Sequence, residues 1–413
     1  MSSFLYLYSG NEMWNEFGLT NEGESPIPIE SCVDDEEFLK REYADLELGD
    51  KRRLNTLIDI LSLKIHYPSA SLLDAIEGKS AISQRVYRLL KVIEEKTEKN
   101  PQYLEKIING NNTQFIRRVR NQSIVVHAGD GVRLNFSEKI KCKGMGIISS
   151  NNQTTSTLGL HGHYILSLTM DGDPIGISRS AFKAYPKRIK DEFVPDNQKK
   201  SYMWIEDADA IINLAKRTPL TQHVYTADKE ADDFNVFKKF YSLNNLSYVI
   251  RSHHNRRGID GKTIEESFHE CQPLVKIEVK ISEKSERKNR PAIPARKATL
   301  TIYSTRKEFK LSRKLRRSFK SDTIWINYVR AVEETPPANI DEPIDWILAT
   351  NRPVSTLDEA IECVKIYRLR WRIEECNRVA KTSCNIEKIG NHSVNKISLL
   401  AKVILTHPHG YAS

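Results

Sequence analysis

The chain has 413 residues, of which 39% are hydrophobic and 28% charged, and its net charge is +9. This composition suits two or three domains with packed cores and excludes wholesale disorder. No run of about 18 apolar residues and no signal-peptide pattern is present, so we expect a cytoplasmic protein without a membrane partner. The positive charge favours a polyanionic partner such as nucleic acid. Six cysteines without a C-x-x-C pair indicate reduced thiols and no zinc site.

The first third of the chain is predicted to be an extended arm followed by helices. Residues 1–33 are polar and contain Pro26 and Pro28, which favour an arm. Asp50 is typical of an N-cap for a helix over 51–65, and a second helix is predicted over 80–96. Three cations lie in the first turn of the earlier helix, where a nearby phosphate or simple solvation would account for them: Lys51, Arg52 and Arg53.

A first candidate acid follows these helices. The sequence SIVVHAGD predicts a short buried strand that ends at Asp130. Residues 160–182 predict two more strands, joined by a turn at 171–174. An aspartate before Gly131 is also typical of a plain turn, so two interpretations remain: a turn former, or a carboxylate presented at a strand end.

A second candidate acid comes after another predicted strand. Residues 224–227 form the strand, Asp228 ends it, and a helix begins near Phe234. The acids in this loop suit either the N-cap and first turn of a helix or a functional carboxylate. The next strand, over 248–250, leads into a run of bases that starts at Arg251.

The segment between this acid and the C-terminal helices is strongly basic. Alternating apolar and polar residues over 276–320 predict strands, and this range holds sixteen Lys or Arg and four Glu. DNA phosphates would neutralise such a dense charge, whereas a solvated loop is the alternative for 284–297. Residues 344–354, which include Trp346, are predicted to return as a core strand.

The stretch Tyr367–Lys388 contains no Gly or Pro and is predicted to be one helix. At about 100° per residue, one arc of roughly 80° collects an acid, a phenol and three bases. These residues are Tyr367, Arg370, Glu374, Arg378 and Lys381. A solvated face with ion pairs four residues apart would explain the pattern by itself.

The spacing of four of these residues also resembles the Y-R-E-K signature of bacterial DDE cut-and-paste transposases. The signature is carried by Tyr367, Arg370, Glu374 and Lys381, with the run WRIEE intact at 371–375. The resemblance is to the insertion-sequence group that includes the transposase of transposon five. It predicts two further aspartates upstream.

Two upstream runs are similar to other motifs of this family. The run ADKEAD resembles the family's D-R-E-A-D box and assigns the second acid to Asp228, with Lys229 in place of Arg. Asp130 matches the start of the family's D-T-T-x-L-x-[FY] run, although Gly131 and Val132 replace the two threonines. The resemblance therefore extends over three separate parts of the chain.

The resemblance implies an α/β fold. We expect a ribonuclease-H-like mixed-sheet catalytic core, with an inserted β subdomain and an N-terminal helical DNA-binding domain. The expected bounds are 1–120 for the helical DNA-end-binding domain, 121–255 for the first part of the core, 256–342 for the basic β insertion, 343–405 for the second part of the core with the glutamate helix, and 406–413 for an irregular tail.

The resemblance also implies the chemistry and the partner. Asp130, Asp228 and Glu374 would be the catalytic, metal-binding acids for two Mg²⁺ ions, with Mn²⁺ as the alternative. The expected DNA-binding residues are Arg251, Trp346, Tyr367, Arg370, Arg378 and Lys381. Trp346 would stack on a flipped base, or would be a buried core residue. The partner would be double-stranded DNA, both transposon ends and target, bound by a homodimer.

We therefore expect a cut-and-paste DNA transposase that cleaves and rejoins strands in DNA transposition and recombination. One alternative is a metal-dependent DNA nuclease of the same fold that does not join strands. Another is a truncated, catalytically impaired DNA-binding remnant. The replaced threonines favour the remnant, as does an end at 406–413 where family members continue with further helices.

Overall fold

The computed structural model separates into two compact units, residues 1–203 with 372–413 and residues 204–371. We call them the first and the second unit. The described residues are 35–70, 80–100, 102–108, 112–136, 142, 144–150, 156–186, 193–281, 295–337, 340, 343–389 and 394–405. The predicted arm, most of the predicted 284–297 loop and the tail lie outside them.

Both helices and strands occur, which confirms the α/β class. The α-helices of the described residues are α1 Asp35–Glu42, α2 Lys51–His66, α3 Ser80–Lys99, α4 Gln102–Ile108, α5 Asn112–Arg120, α6 Met203–Arg217, α7 Phe234–Lys239, α8 Ile264–Phe268, α9 Arg313–Phe319, α10 Leu357–Leu369, α11 Trp371–Thr382 and α12 Val394–Leu405. The strands are β1 Ile124–Asn135, β2 Gly146–Ser150, β3 Ser156–Leu168, β4 Pro174–Lys183, β5 Gln222–Ala227, β6 Leu246–Arg251, β7 Val275–Ile281, β8 Arg296–Lys310, β9 Thr323–Glu333 and β10 Asp345–Thr350.

The N-terminal helices of the first unit follow the sequence pattern closely. The helices predicted over 51–65 and 80–96 are confirmed as α2 and α3. The side chain of Asp50 caps α2 by accepting from the N–H of Arg52 at 2.9 Å, and it also pairs with the Arg52 guanidinium at 3.0 Å. Arg53 donates to the carbonyl oxygen of Leu48 at 2.9 Å. Local partners therefore account for two of the three cations without a phosphate.

A buried ion pair fastens these helices to the strands of the same unit. Arg118, on α5, donates to both carboxylate oxygens of Glu42, at 2.9 and 2.7 Å. Its Nε donates to the carbonyl oxygen of Ile175 on β4 at 3.0 Å. Only 4% of the Glu42 side chain is exposed, so this carboxylate depends on the bidentate guanidinium for its stability.

Strand β1 is longer than the sequence predicts, and Asp130 does not end it. The strand runs to Asn135 and pairs antiparallel with β3, from Val126 opposite Leu168 to Asn135 opposite Gly159. Residues 125–129 are buried, whereas beyond Asp130 buried and exposed residues alternate. The strand therefore passes through Asp130 at the point where only one face stays buried. β2 and β4 also pair with β3. The structure therefore has four antiparallel strands here, whereas the sequence predicts three.

The second unit is built on a mixed sheet. Its strand order is β5-β6-β10-β9-β8-β7, in which β5 and β6 are parallel and the other neighbours are antiparallel. The strands predicted in the basic segment and at 344–354 are present. Through the pairing of β9 with β10 they extend the sheet that holds β5 and β6. The helix α9, capped by Ser312, lies where only strands are predicted.

Stacked aromatic rings fill the core beside β5 and β6. Phe237 stacks on Tyr248 with ring centroids 4.7 Å apart, and Phe240 stacks on Tyr225 at 5.4 Å. All four side chains are fully buried. Offset stacking adds to the free energy of burial, so the short helix α7 is fixed on these two strands. The loops at the carboxyl ends of β5 and β6 therefore start from a rigid base.

The single helix predicted over Tyr367–Lys388 is wrong in its extent. The structure has α10, then α11, then a separate 3-10 turn at Ile386–Lys388. At the first break the N–H of Arg370 donates to the carbonyl oxygen of Tyr367, a three-residue closure. α11 ends at Thr382, and Asn385 then takes a left-handed conformation with φ +48°, which Asn tolerates better than most residues. No Gly or Pro marks either break in the sequence.

Candidate metal and nucleic-acid site

The three acids predicted to act together belong to different units: Asp130 and Glu374 to the first, Asp228 to the second. In the first unit, the amide Nδ2 of Asn377 on α11 donates to Oδ2 of Asp130 at 2.9 Å. The other carboxylate oxygen accepts from the N–H of Gly131 at 2.8 Å. Asp130 is half-buried and is held from two sides.

Glu374 lies in the first turn of α11, the helix that also carries Asn377 and Lys381. Residues three apart are neighbours on a helix surface, so Glu374 is next to Asn377. One turn further along, Lys381 Nζ donates to the carbonyl oxygen of Arg133 on β1 at 2.7 Å. On an ideal helix, Glu374 falls on the same face as Asn377 and Lys381, the two residues whose contacts with β1 are given above.

Two cations of α11 predicted to bind DNA differ in their surroundings. Lys381 contacts β1 and lies 3.6 Å from the Glu387 carboxylate. The carboxylate of Glu387 in turn accepts from the N–H of Asn135. Lys381 thus has a structural task within the first unit, whereas Arg378 is exposed to solvent.

In the second unit, Asp228 directly follows β5, as predicted. The hydroxyl of Tyr367 donates to Oδ1 of Asp228 at 3.4 Å, and Nη1 of Arg251 lies 3.8 Å from the same oxygen. About a third of each of the Asp228 and Arg251 side chains is exposed. A carboxylate, a phenol and a guanidinium therefore meet at the carboxyl ends of β5, β6 and α10.

Two more predicted residues join this cluster through Tyr367. The Trp346 ring meets the Tyr367 ring edge-on, with centroids 5.2 Å apart, and Trp346 is half-buried. The guanidinium of Arg370 lies 5.6 Å from the centre of the Tyr367 ring. Burial raises the pKa of Tyr367, so its hydroxyl stays protonated and donates at neutral pH.

Asp228 occupies the N-cap position of a short turn, but its side chain does not act as the cap. Asp228 precedes a 3-10 turn, Lys229–Ala231, and its side chain makes no capping hydrogen bond in the part of the chain described. The neighbouring Asp233 caps α7 instead, by accepting from the N–H of Asn235 at 2.7 Å. The carboxylate of Asp228 is therefore left facing Tyr367 and Arg251.

Two important residues were not identified from the sequence. Asp232 is buried and accepts from the N–H groups of His253 and His254 at 2.7 and 3.0 Å. It also pairs with Arg256 at 2.6 Å. It thereby fixes the loop that follows Arg251. Nothing in the acidic run distinguishes it from its exposed neighbours.

Asn377 is the second such residue. Its spacing of three from Glu374 places it on the same helical face, which was a usable indication in the sequence. Its Oδ1 is buried and has no hydrogen-bond partner among the described residues. A buried polar atom of this kind calls for an unseen water or ion.

The chemistry of these side chains fits hard divalent cations. Carboxylate and amide oxygens are ligands that Mg²⁺ accepts, and the first unit offers both types on Asp130, Glu374 and Asn377. Within the described residues, no group of three or more His, Cys, Asp or Glu side chains is close enough to hold a metal ion.

Among the described residues there is also no helix with the length and apolarity needed to cross a membrane.

No known family model matches the chain. A solved cryo-EM structure of a piggyBac transposase synaptic complex with hairpin DNA is similar to it at a TM-score of 0.36 and 9% sequence identity. The match covers 98% of this chain and 70% of that chain. A likeness of this size leaves the function to be inferred from the residues and their contacts.

Proposed function

We propose that this chain is a DDE-type DNA transposase that binds transposon ends, cleaves them and transfers the freed strand to target DNA. The observation that carries the proposal is the contact of Tyr367 with Asp228 at 3.4 Å. These residues belong to two motifs that are 139 positions apart in the chain. Two runs that resemble motifs of one family thus meet at one place in the second unit.

The proposed metal-binding residues are Asp130, Asp228 and Glu374, which would hold two Mg²⁺ ions. Such ions, when bound, activate a water or a 3′-hydroxyl and stabilise the leaving oxygen of an in-line displacement at phosphorus. The protein would orient the acids: Asn377 and the N–H of Gly131 hold Asp130, and the Tyr367 hydroxyl holds Asp228.

The cations around Asp228 would position the DNA backbone. Arg251 and Arg370 lie beside Tyr367, where a guanidinium can donate two hydrogen bonds to a phosphate. Trp346, packed edge-on against Tyr367, would present its ring to a base at the cleaved end. The proposed partner is double-stranded DNA, bound by a homodimer. The N-terminal helices over 35–120 would recognise the transposon end.

The test is divalent-dependent cleavage of a duplex that carries the inverted repeats flanking the gene. Wild-type protein should nick this DNA in Mg²⁺, and Glu374→Gln should abolish nicking while it retains binding, since it removes only one ligand charge. Glu375→Gln is the matched control, because Glu375 is the next residue and pairs with Arg372 at 3.0 Å. Equal nicking by wild type and Glu374→Gln would remove Glu374 from the site.

A strand-transfer assay separates the transposase from the two alternatives. Joining of the pre-cleaved end to target DNA supports the transposase. Cleavage without joining would indicate a nuclease. Binding without cleavage by wild type would indicate the DNA-binding remnant, which the replacement of the family threonines by Gly131 and Val132 favours.

A further inference from the structure

The second unit has an aromatic cavity that the proposed cleavage chemistry does not use. Its volume is about 380 Å³, and its lining includes Tyr241, Phe319, Trp325 and Arg306. Trp325 is 46% exposed and Tyr241 is 47% exposed. Ile324 and Ile326 point into the core, so the strand alternation of β9 turns the Trp325 ring outward. Two large aromatic side chains of the cavity lining are therefore about half exposed to solvent.

Cations lie over two of the aromatic rings that line the cavity, those of Trp325 and Phe319. The Arg306 guanidinium lies 4.6 Å from the centre of the Trp325 ring, and Lys238 Nζ lies 5.7 Å from the centre of the Phe319 ring. The Tyr241 hydroxyl donates to the carbonyl oxygen of Trp325 at 3.1 Å, which fixes the two aromatic residues to each other. The cavity wall is thus ordered and combines flat rings with positive charge.

The surroundings are strongly basic. Residues 306–325 contain eight Lys or Arg and two acids, and several of the cations lie on the short helix α9. One of the acids, Asp322, is paired with Arg316 at 3.3 Å, and one of the cations, Lys307, is buried against Asp260. The remaining excess of positive charge calls for an anionic partner.

The cavity lies far from Asp228 within the second unit. Trp346, beside the Asp228 cluster, pairs with Ala331 on β9, and Trp325 is six residues further along that strand. At about 3.3 Å per residue this is roughly 20 Å. Asn351, which follows the opposite end of β10 from Trp346, also lines the cavity. A ligand in the cavity would therefore not occupy the place proposed for the scissile phosphate.

We propose that this cavity binds an unpaired base of a single DNA strand, with the base against Trp325 and Tyr241 and the adjacent phosphates on Arg306 and α9. Stacking on aromatic rings within a basic groove is how proteins hold single strands without reading their sequence. A duplex hides the faces of its bases, so a flat aromatic site of this size suits a base that has left its stack. The inference goes beyond the proposed function and does not depend on the three acids.

The test uses the full chain and two fluorescent oligonucleotides of about twelve nucleotides, within the site sizes of single-strand-binding proteins. One is oligothymidylate and the other is an abasic strand of the same length and charge. Fluorescence anisotropy at one salt concentration gives the ratio of their affinities. We expect wild type to prefer the thymidylate by about tenfold, and Trp325→Ala to lose most of that preference.

Two further variants keep the test specific. Trp325→Phe retains a ring and should retain most of the preference. Arg306→Gln and Lys310→Gln each remove one exposed cation from the same face of β8. The Arg306 variant should weaken the binding of both strands more than the Lys310 variant does, because Arg306 lines the cavity and is assigned to a phosphate, and it should leave the ratio of the two affinities unchanged. Equal binding of both strands by wild type, or an unchanged preference in a folded Trp325→Ala, would overturn the proposal.

Discussion

Asp130 and Asp228 are held by different chemistry. Asp228 faces the Tyr367 hydroxyl and the Arg251 guanidinium, groups that can also bind a phosphate. Asp130 is held by an amide from Asn377 and by the backbone N–H of Gly131, both neutral. The surroundings of Asp228 thus include a phenol and a cation, two kinds of group that can donate hydrogen bonds to a phosphate. The surroundings of Asp130 include two neutral donors that orient its carboxylate.

This difference also explains which residues could be found from the sequence. Charged and aromatic residues at fixed spacing stand out in a chain, as Tyr367 and Arg370 do. Asn377 is indicated only by its spacing of three from Glu374, and a glycine N–H is not indicated at all. Variants of the two acids and of their hydrogen-bond partners test whether Asp130 and Asp228 also differ in function.

The largest effect should come from Asp228→Asn. The amide cannot supply the negative charge that a divalent ion needs, so we expect cleavage to fall by at least about a thousandfold, the scale seen when an essential group is removed. DNA binding should be kept or strengthened, because Arg251 then faces no carboxylate. Cleavage rates and anisotropy measure the two effects.

The matched control for this variant is Glu230→Gln, which removes a charge from an exposed residue of the same loop. It should cleave like wild type. Loss of DNA binding in Asp228→Asn, with cleavage reduced only in proportion, would show that Asp228 has a structural role and no catalytic one.

A large effect on stability should come from Asp232→Asn. The change leaves Arg256 and two N–H groups without their buried anion, and breaking such a pair costs about 3–5 kcal/mol. The free energy of unfolding, measured with urea, checks the prediction. The adjacent Asp233→Asn should cost less than about 0.5 kcal/mol, because Asn is an equally good N-cap. Equal stability of the two variants would refute the assigned role of Asp232.

A smaller effect should come from Asn377→Ala, which tests the neutral surroundings of Asp130. Loss of a residue that orients a metal ligand costs about ten- to a hundredfold in metal affinity or activity. We expect the Mg²⁺ concentration for half-maximal cleavage to rise, and activity to recover in excess Mg²⁺. Asn395→Ala, the same change on α12, is the control. An unchanged Mg²⁺ dependence would leave Asn377 with a packing role alone.

The smallest effect should come from Tyr367→Phe. The variant loses one long hydrogen bond to Asp228 but keeps the ring against Trp346, so cleavage should fall by about threefold. Because burial raises the pKa of Tyr367, its hydroxyl remains a donor well above neutral pH, and the loss should be equal at pH 7 and pH 9.

Tyr303→Phe provides the comparison for this last variant. Its hydroxyl also donates to a carboxylate, that of Glu334, at 3.0 Å in the second unit. Cleavage by Tyr303→Phe should match wild type. A larger loss there than in Tyr367→Phe would mean that the effect is a general one on stability.

Much of the local structure follows from short-range patterns. The cap at Asp50, the strand before Asp228 and the helix that starts at Phe234 were all predicted, because each depends on residues within a few positions. The errors lie where distant contacts decide. β1 continues through Asp130 because β3 pairs along its whole length. The C-terminal helix is broken at Arg370 although no Gly or Pro marks the place.

The α/β class, the basic character of the 276–320 segment and the position of Asp228 at a strand end could all be predicted from the order of the residues. The contacts of each acid follow from the folded chain instead. The Tyr367 hydroxyl lies on Asp228, the Asn377 amide lies on Asp130, and the Tyr241 hydroxyl lies on the carbonyl oxygen of Trp325. The hydrophobic periods of helices and strands depend on residues that are neighbours in the chain. These three contacts join residues that are far apart in the chain, so a local pattern does not predict them.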